Sequence, residues 1–253
     1  MATKPSRPFV LVNMAMSADG KIATANRSVD TLGTERDQEN LLRLRGGVDA
    51  VLCGARTAGG SGITLNSGGA RYRAARRRRG LAEEPMRVIL SGRAGISPRA
   101  DLFQSEGGPL LVVVSESAPR SRVRRLEAVA DEVRCFGARQ VDLVALLRWL
   151  ALERGVRRLV CEGGAMVNDA MFRAGLVDEL HVTVCPTVVG GRLAPTLADG
   201  EGVSVLARAA RLALWRSRRV GDELFLTYRV VGTPAKETLA RVRTSVAMRR
   251  NRT

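Results

Sequence analysis

Apolar residues run along this chain in short blocks broken by glycine, serine and charge. Pro8 to Met16 (PFVLVNMAM), Asp49 to Gly54, Met86 to Leu90, Leu110 to Val114, Val133 to Phe136, Arg158 to Cys161 and Glu179 to Val184 are too short for helices and apolar on both faces. They read as buried strands. Between them the period changes. Thr34 is placed to cap a helix whose face is Leu41, Leu42 and Leu44, with Asp37 and Glu39 near its positive end and Gly46-Gly47 after it. Ser121 to Ala130 is a second helix. Leu143 to Arg154, led by Val141-Asp142, is a third, with Val144, Leu147 and Leu150 in one stripe and Gly155 as its stop. In AMVNDAMFRAG the apolar residues Met166, Ala170, Met171 and Ala174 recur at helical spacing, and Gly175 sits where a C-cap belongs. Gly59 to Arg79 has no period and reads as a long surface loop plus a short basic helix, YRAARRRRG, stopped by Gly80. Two more strands, Ala207 to Arg216 and Glu223 to Val231, close the pattern. Repeated strand–helix units predict an α/β fold: a mainly parallel central sheet with helices on both faces and antiparallel C-terminal strands. Residues 1–231 form one domain, and residues 232–253, rich in arginine, form a basic tail.

Composition changes this picture little. A chain of 253 residues with 45% apolar residues can bury roughly three quarters of its unfolded surface. No apolar run approaches the roughly 20 residues of a membrane helix, and the N-terminal MATKPSRPFV lacks the apolar core of a secretory signal. Cys53, Cys135, Cys161 and Cys185 lie far apart, with neither disulfide nor metal-ligand spacing, which places the protein in a reducing cytoplasm. The charge is more informative. A formal +16 with only 4% aromatic residues suits phosphorylated small molecules better than stacked single-stranded nucleic acid. Nucleic-acid binding through the basic tail is the reading from a different functional class.

Candidate chemistry begins at Leu159 to Gly191. A strand that breaks at Glu162-Gly163-Gly164 and opens a helix leaves backbone N–H groups unpaired beside the positive end of the helix dipole, a ready site for phosphate. In a doubly wound sheet the carboxyl ends of the strands share one rim. That rim collects Asn13 to Asp19, Gly54 to Thr57, Ser91 to Arg93, Ser115, and Glu162 to Ala165. The set suits a phosphorylated ligand or a dinucleotide. It contains no Ser-His-Asp or Cys-His arrangement, no zinc-deaminase signature and no Walker loop. The single histidine, His181, lies inside a strand pattern and reads as structural.

The residues also carry a resemblance. MAMSADGKIA (Met14 to Ala23), VDAVLCGART (Val48 to Thr57), and Glu162-Gly163-Gly164 with LVDEL (Leu176 to Leu180) resemble the three signature blocks of the riboflavin-pathway pyrimidine reductases. Their fold is like that of dihydrofolate reductase. APTLADGEG (Ala194 to Gly202) resembles the stand-alone archaeal-type members, and the match runs from about Arg7 to Val231.

The resemblance implies reduction of the ribosylamino group of a pyrimidine 5′-phosphate to ribitylamino by NADPH, in a homodimer. It places Gly54, Thr57, Ser61 and Gly163, Gly164, Ala165, Met166, Val167 and Asn168 at the cofactor. To these we add Ser91 and Arg93 as contacts for the cofactor's 2′-phosphate, because the arginine fork matches phosphate geometry. Asn13, Ser17, Asp19, Arg45 and Glu162 would line the substrate, with Arg45 at its phosphate. Asp19 and Glu162 are the catalytic candidates for proton transfer during ring opening. The sequence departs from the family at Ser61, where an aspartate is usual, at Gly62-Ile63, which replace an Asp-Pro step, and near Gly68, where an arginine is usual. Arg71 and Arg73 are the nearest replacements for that arginine. Asn13 stands where bacterial bifunctional members have lysine. An asparagine can accept from an amino group where lysine only donates, which favours the 2,5-diamino substrate over its deaminated counterpart. A dihydrofolate-reductase-like enzyme of another pathway is the alternative within the same class.

Overall fold

Strands covered on both faces need apolar residues throughout, and two segments show this in full. In β2 (Ala50–Gly54) and β4 (Leu110–Val114) every residue is buried. The computed structural model describes residues 6–27 and 32–232. The other strands are β1 (Phe9–Ser17), β3 (Met86–Leu90), β5 (Glu132–Cys135), β6 (Arg158–Cys161), β7 (Glu179–Cys185), β8 (Arg211–Val220) and β9 (Glu223–Gly232). All nine form one sheet in the order β5-β4-β3-β2-β6-β1-β7-β9-β8. The first seven are parallel to their neighbours, and β9 joins β7 and β8 antiparallel.

Among the described residues seven α-helices complete the fold: α1 (Glu35–Arg45), α2 (Ala55–Ala58), α3 (Ala70–Arg78), α4 (Asp101–Gln104), α5 (Arg120–Glu127), α6 (Leu143–Glu153) and α7 (Ala165–Arg173). Alternate strand residues feed two apolar layers. One is built with Leu146, Leu147 and Leu150 of α6 and Met171 of α7; the other with Leu102 of α4, Leu126 of α5 and Ala58 of α2. Each fully buried leucine contributes about 1.5–3 kcal/mol. Helices therefore cover both faces of a mainly parallel sheet. Thr34 caps α1 by accepting from the Arg36 N–H. Asp142 caps α6 by accepting from the Ala145 N–H at 2.9 Å.

Several boundaries differ from the pattern. The α6 stripe is Leu146, Leu147, Leu150 and Ala151; Val144 is 58% exposed, because the helix turns a neighbouring pair of positions to the sheet. The first closing strand starts at Arg211, four residues later than its sequence pattern, since Leu206–Arg208 forms a 3-10 turn. The turn after Gly54 is the short helix α2, and α4 has no counterpart in the periodicity.

The arginine-rich stretch is not simply a surface segment. Arg76 of α3 is fully buried, donating to the carbonyl oxygens of Ala82, Arg45 and Val48. Arg79 donates to that of Gly46 at 2.6 Å. These cations satisfy carbonyls at the C-terminal end of α1, where the helix dipole is negative. Arg71 and Arg73 pair with Glu39 and Glu84. The proposed tail lies outside the described residues beyond Gly232, as do residues 28–31. No described helix is long and apolar enough to cross a membrane.

Candidate active site

The chain runs outward through β2, β3, β4 and β5, then returns through α6 to insert β6 between β2 and β1. That insertion is the topological switch at which α/β sheets open a ligand crevice. It sets the loops after β1, β2 and β6 side by side, although they are far apart in sequence. The Gly54 N–H donates to the Gly163 carbonyl at 2.7 Å. A Cβ on Gly54 would lie 2.9 Å from Val167 Cγ2, and one on Gly163, whose φ is +77°, would lie 2.8 Å from Met14 Sδ. Only glycine permits these approaches. Thr57 Oγ1 lies 3.1 Å from where a Gly164 Cβ would be.

Between the loops lies a cavity of about 550 Å³ lined, among others, by Met14, Gly54, Thr57, Glu162, Gly164, Ala165, Met166 and Val167. Gly164 is the N-cap of α7. The N–H groups of Val167 and Asn168 already donate to its carbonyl, so those of Ala165 and Met166, in the first turn, are the orphan donors facing the ligand space. The Asn168 side chain turns inward, donating to the Leu197 carbonyl at 2.8 Å. It therefore braces the 194–199 loop and does not reach the cavity.

Glu162, on the cavity wall, forms a two-pronged ion pair with Arg45 behind it, Nε–Oε1 at 2.6 Å and Nη2–Oε2 at 2.7 Å. Arg45 Nη1 donates to the Asn66 carbonyl at 2.9 Å. Burial pulls the guanidinium pKa down, but the Glu162 charge and hydrogen bonds outweigh it and the net shift is upward. Arg45 is thus committed within the protein, its donors directed at Glu162 and Asn66.

The other predicted substrate residues divide. Asn13 is 7% exposed and its Oδ1 has no partner, an orphan acceptor that a ligand donor would satisfy. Ser17 is fully buried, donating to Asp19 and accepting from the Lys21 N–H. Asp19 also accepts from the N–H groups of Val189 and Gly190. The Ser17 hydroxyl first, then these two amides, hold its carboxyl at a pKa of about 2. Through these bonds Asp19 ties the loop after β1 to the 189–190 segment. Of the predicted substrate residues only Glu162 lines the cavity; Asn13, Ser17, Asp19 and Arg45 do not, and neither do Ser61, Ser91 and Arg93. Ser91 Oγ is occupied by the N–H groups of Gly95 and Ile96, and Ser61 lies on an exposed turn whose Gly62 N–H donates to Asp101. His181 sits inside β7 between Glu179 and Thr227, and burial chiefly lowers its pKa.

Ala55 and Arg56 fall in the Gly54 to Thr57 stretch expected on the rim, but sequence reasoning did not single out Ile22, Ala23, Arg27, Leu90, Pro195 or Asp199 as lining residues. Three of them come from the loop after β1 and two from APTLADGEG, which an isolated bridge between Lys21 and Thr196 brings together.

Comparison with known proteins agrees with this geometry. The family described as RibD C-terminal domain matches residues 8–226. The 2,5-diamino-6-ribosylamino-4(3H)-pyrimidinone 5′-phosphate reductase of Methanothermobacter thermautotrophicus is 40% identical over 228 residues, covering 89% of this chain and all of the relative. Its counterpart from Archaeoglobus fulgidus is 35% identical over 223 residues, covering 88% of this chain and 98% of the relative. Among solved structures, a pyrimidine reductase-like protein of Corynebacterium diphtheriae superposes with a TM-score of 0.76 at 24% identity, covering 89% of this chain and 92% of that one.

Proposed function

Because the chain belongs to the RibD C-terminal domain family, we propose that it is the stand-alone reductase of riboflavin biosynthesis. On this reading it reduces the ribosylamino group of 2,5-diamino-6-ribosylamino-4(3H)-pyrimidinone 5′-phosphate to ribitylamino, with NADPH as its cofactor. The observation that carries the reading is the meeting of Thr57, Gly164 and the Glu162–Arg45 pair around one cavity, at the sheet's switch point.

The residues present fit a dinucleotide. Gly54 and Gly163 clear the approach, and the N–H groups of Ala165 and Met166 receive a phosphate. When bound, the nicotinamide supplies the hydride, and the protein contributes position and electrostatics. Glu162 is fixed by Arg45, and its remaining lone pairs accept from the substrate's ribosyl hydroxyls and amine. Arg45 orients Glu162, and Asp19 holds the 189–190 segment through its N–H groups. Glu162 or a bound water then carries the proton of ring opening. Asn13 Oδ1 accepts from the 2-amino group of the diamino substrate.

The same reading makes the protein a cytoplasmic homodimer. Its support is β8, an edge strand exposed along its length with Leu214 and Trp215 at 56% and 42% exposure, since long apolar edges are normally covered. The decisive experiment is NADPH oxidation by the purified chain with the diamino pyrimidine, its deaminated counterpart and dihydrofolate. Turnover of the diamino compound is expected; turnover with dihydrofolate alone would remove the assignment.

A further inference from the structure

Two arginines at the cavity have no side-chain partner among the described residues. Arg27 and Arg56 both line it. Among the described residues neither has a hydrogen bond, ion pair or ring contact from its side chain. The carboxylates on the same wall are already engaged. Glu162 is held by Arg45, and Asp199 accepts from the Thr196 N–H and hydroxyl. Three arginines of α3, by contrast, are tied down: Arg73 and Arg77 by Glu84 and Glu83, Arg76 by three carbonyls. Asp199 keeps its negative charge, since its Thr196 donors are neutral, so the cationic excess of the cavity comes from Arg27 and Arg56 together.

Their backbones support a binding role. Arg27 has φ +64°, with its N–H donated to the Thr24 carbonyl at 2.8 Å. A non-glycine residue held at positive φ is uncommon, and such strain gathers at ligand clamps. Arg56 lies in α2, beside the Thr57 that meets Gly164.

Resting on the reading of this cavity as a nicotinamide dinucleotide site, we propose that Arg27 and Arg56 form a two-point clamp on the dinucleotide's phosphates. Each guanidinium presents paired N–H donors to phosphate oxygens, the geometry in which arginine binds most strongly. The phosphate is either the pyrophosphate common to NADH and NADPH or the 2′-phosphate found only on NADPH.

The test is equilibrium binding of NADPH and of NADH to the full chain, as wild type, Arg27→Gln, Arg56→Gln and the double variant. Each single substitution is expected to weaken NADPH binding by about ten-fold and the pair by about a hundred-fold. Equal losses for NADH assign the clamp to the pyrophosphate, and losses confined to NADPH assign it to the 2′-phosphate; both support the proposal. Unchanged NADPH affinity in the double variant, or an effect seen only in the KM of the pyrimidine phosphate, would overturn it. A wild-type chain that binds neither dinucleotide would overturn both this clamp and the reading beneath it.

Discussion

Arg45 and Glu162, 117 residues apart in sequence, are joined by two short N–H···O contacts, with 8% and 9% of their side chains exposed. Removing one partner of a buried ion pair leaves the other uncompensated and costs about 3–5 kcal/mol. Glu162→Gln is expected to lower stability by that order and turnover by more than about a hundred-fold. Denaturant unfolding together with NADPH oxidation, measured below the unfolding transition, separates the two effects. A stable, active variant would remove Glu162 from the site.

Arg45 also sets the response to Arg76, which holds the Arg45 carbonyl from the far side. Arg76→Met leaves three carbonyls without their donor and is expected to cost about 2–4 kcal/mol. Arg76→Lys should recover part of this. Thermal unfolding of the three proteins checks the order.

Asn13 tests substrate choice. With its Oδ1 unpartnered in the protein, Asn13→Lys replaces an acceptor by a donor and should shift kcat/KM from the diamino toward the deaminated pyrimidine. A change in ratio of about ten- to a hundred-fold is expected. Competition between the two substrates reads the ratio directly, and an unchanged ratio removes Asn13 from recognition.

Glycine at position 54 is a steric requirement. Gly54→Ala forces a Cβ to 2.9 Å from Val167 Cγ2 and should cost about 1–3 kcal/mol through overpacking, with weaker NADPH binding. Val167→Ala in the same chain opens that space and should restore part of both. A double-mutant cycle showing no coupling would contradict the contact.

Asp37 gives a pH dependence. Burial is the main cause raising its carboxyl above the ordinary value, reinforced by the nearby Glu223 charge and opposed by a hydrogen bond from Thr183. A raised folded pKa means the folded state holds the proton more tightly than the unfolded chain does. The resulting stability is full below about pH 4 and is lost as pH rises through the folded pKa. Asp37→Asn, which cannot ionise, should flatten this part of the stability profile and be at least as stable at neutral pH. Unfolding free energies across pH 4–8 measure it.

Strand periodicity alone made most of the sheet legible, because apolar runs such as LLVVV at Leu110–Val114 have no other place to be buried. The blocks around Asp19, Thr57 and Gly164 marked the rim for the same local reason: glycines and short polar residues end strands where backbone must approach backbone. The roles of individual side chains were not legible. Nothing local to Asp19 announces that Ser17, Val189 and Gly190 donate to its oxygens. Nor does the sequence show that Arg45 pairs with Glu162, or that Arg76 is buried against the carbonyls of Arg45, Val48 and Ala82. Arg27 had no local signal and Arg56 only its place on the rim, since an arginine without a partner is recognisable only once every possible partner has been placed. The sequence determines which residues must leave water and where the chain must turn. The insertion of β6 between β2 and β1 decides which distant groups then meet, because a hydrogen bond or ion pair depends on distances that no local pattern encodes.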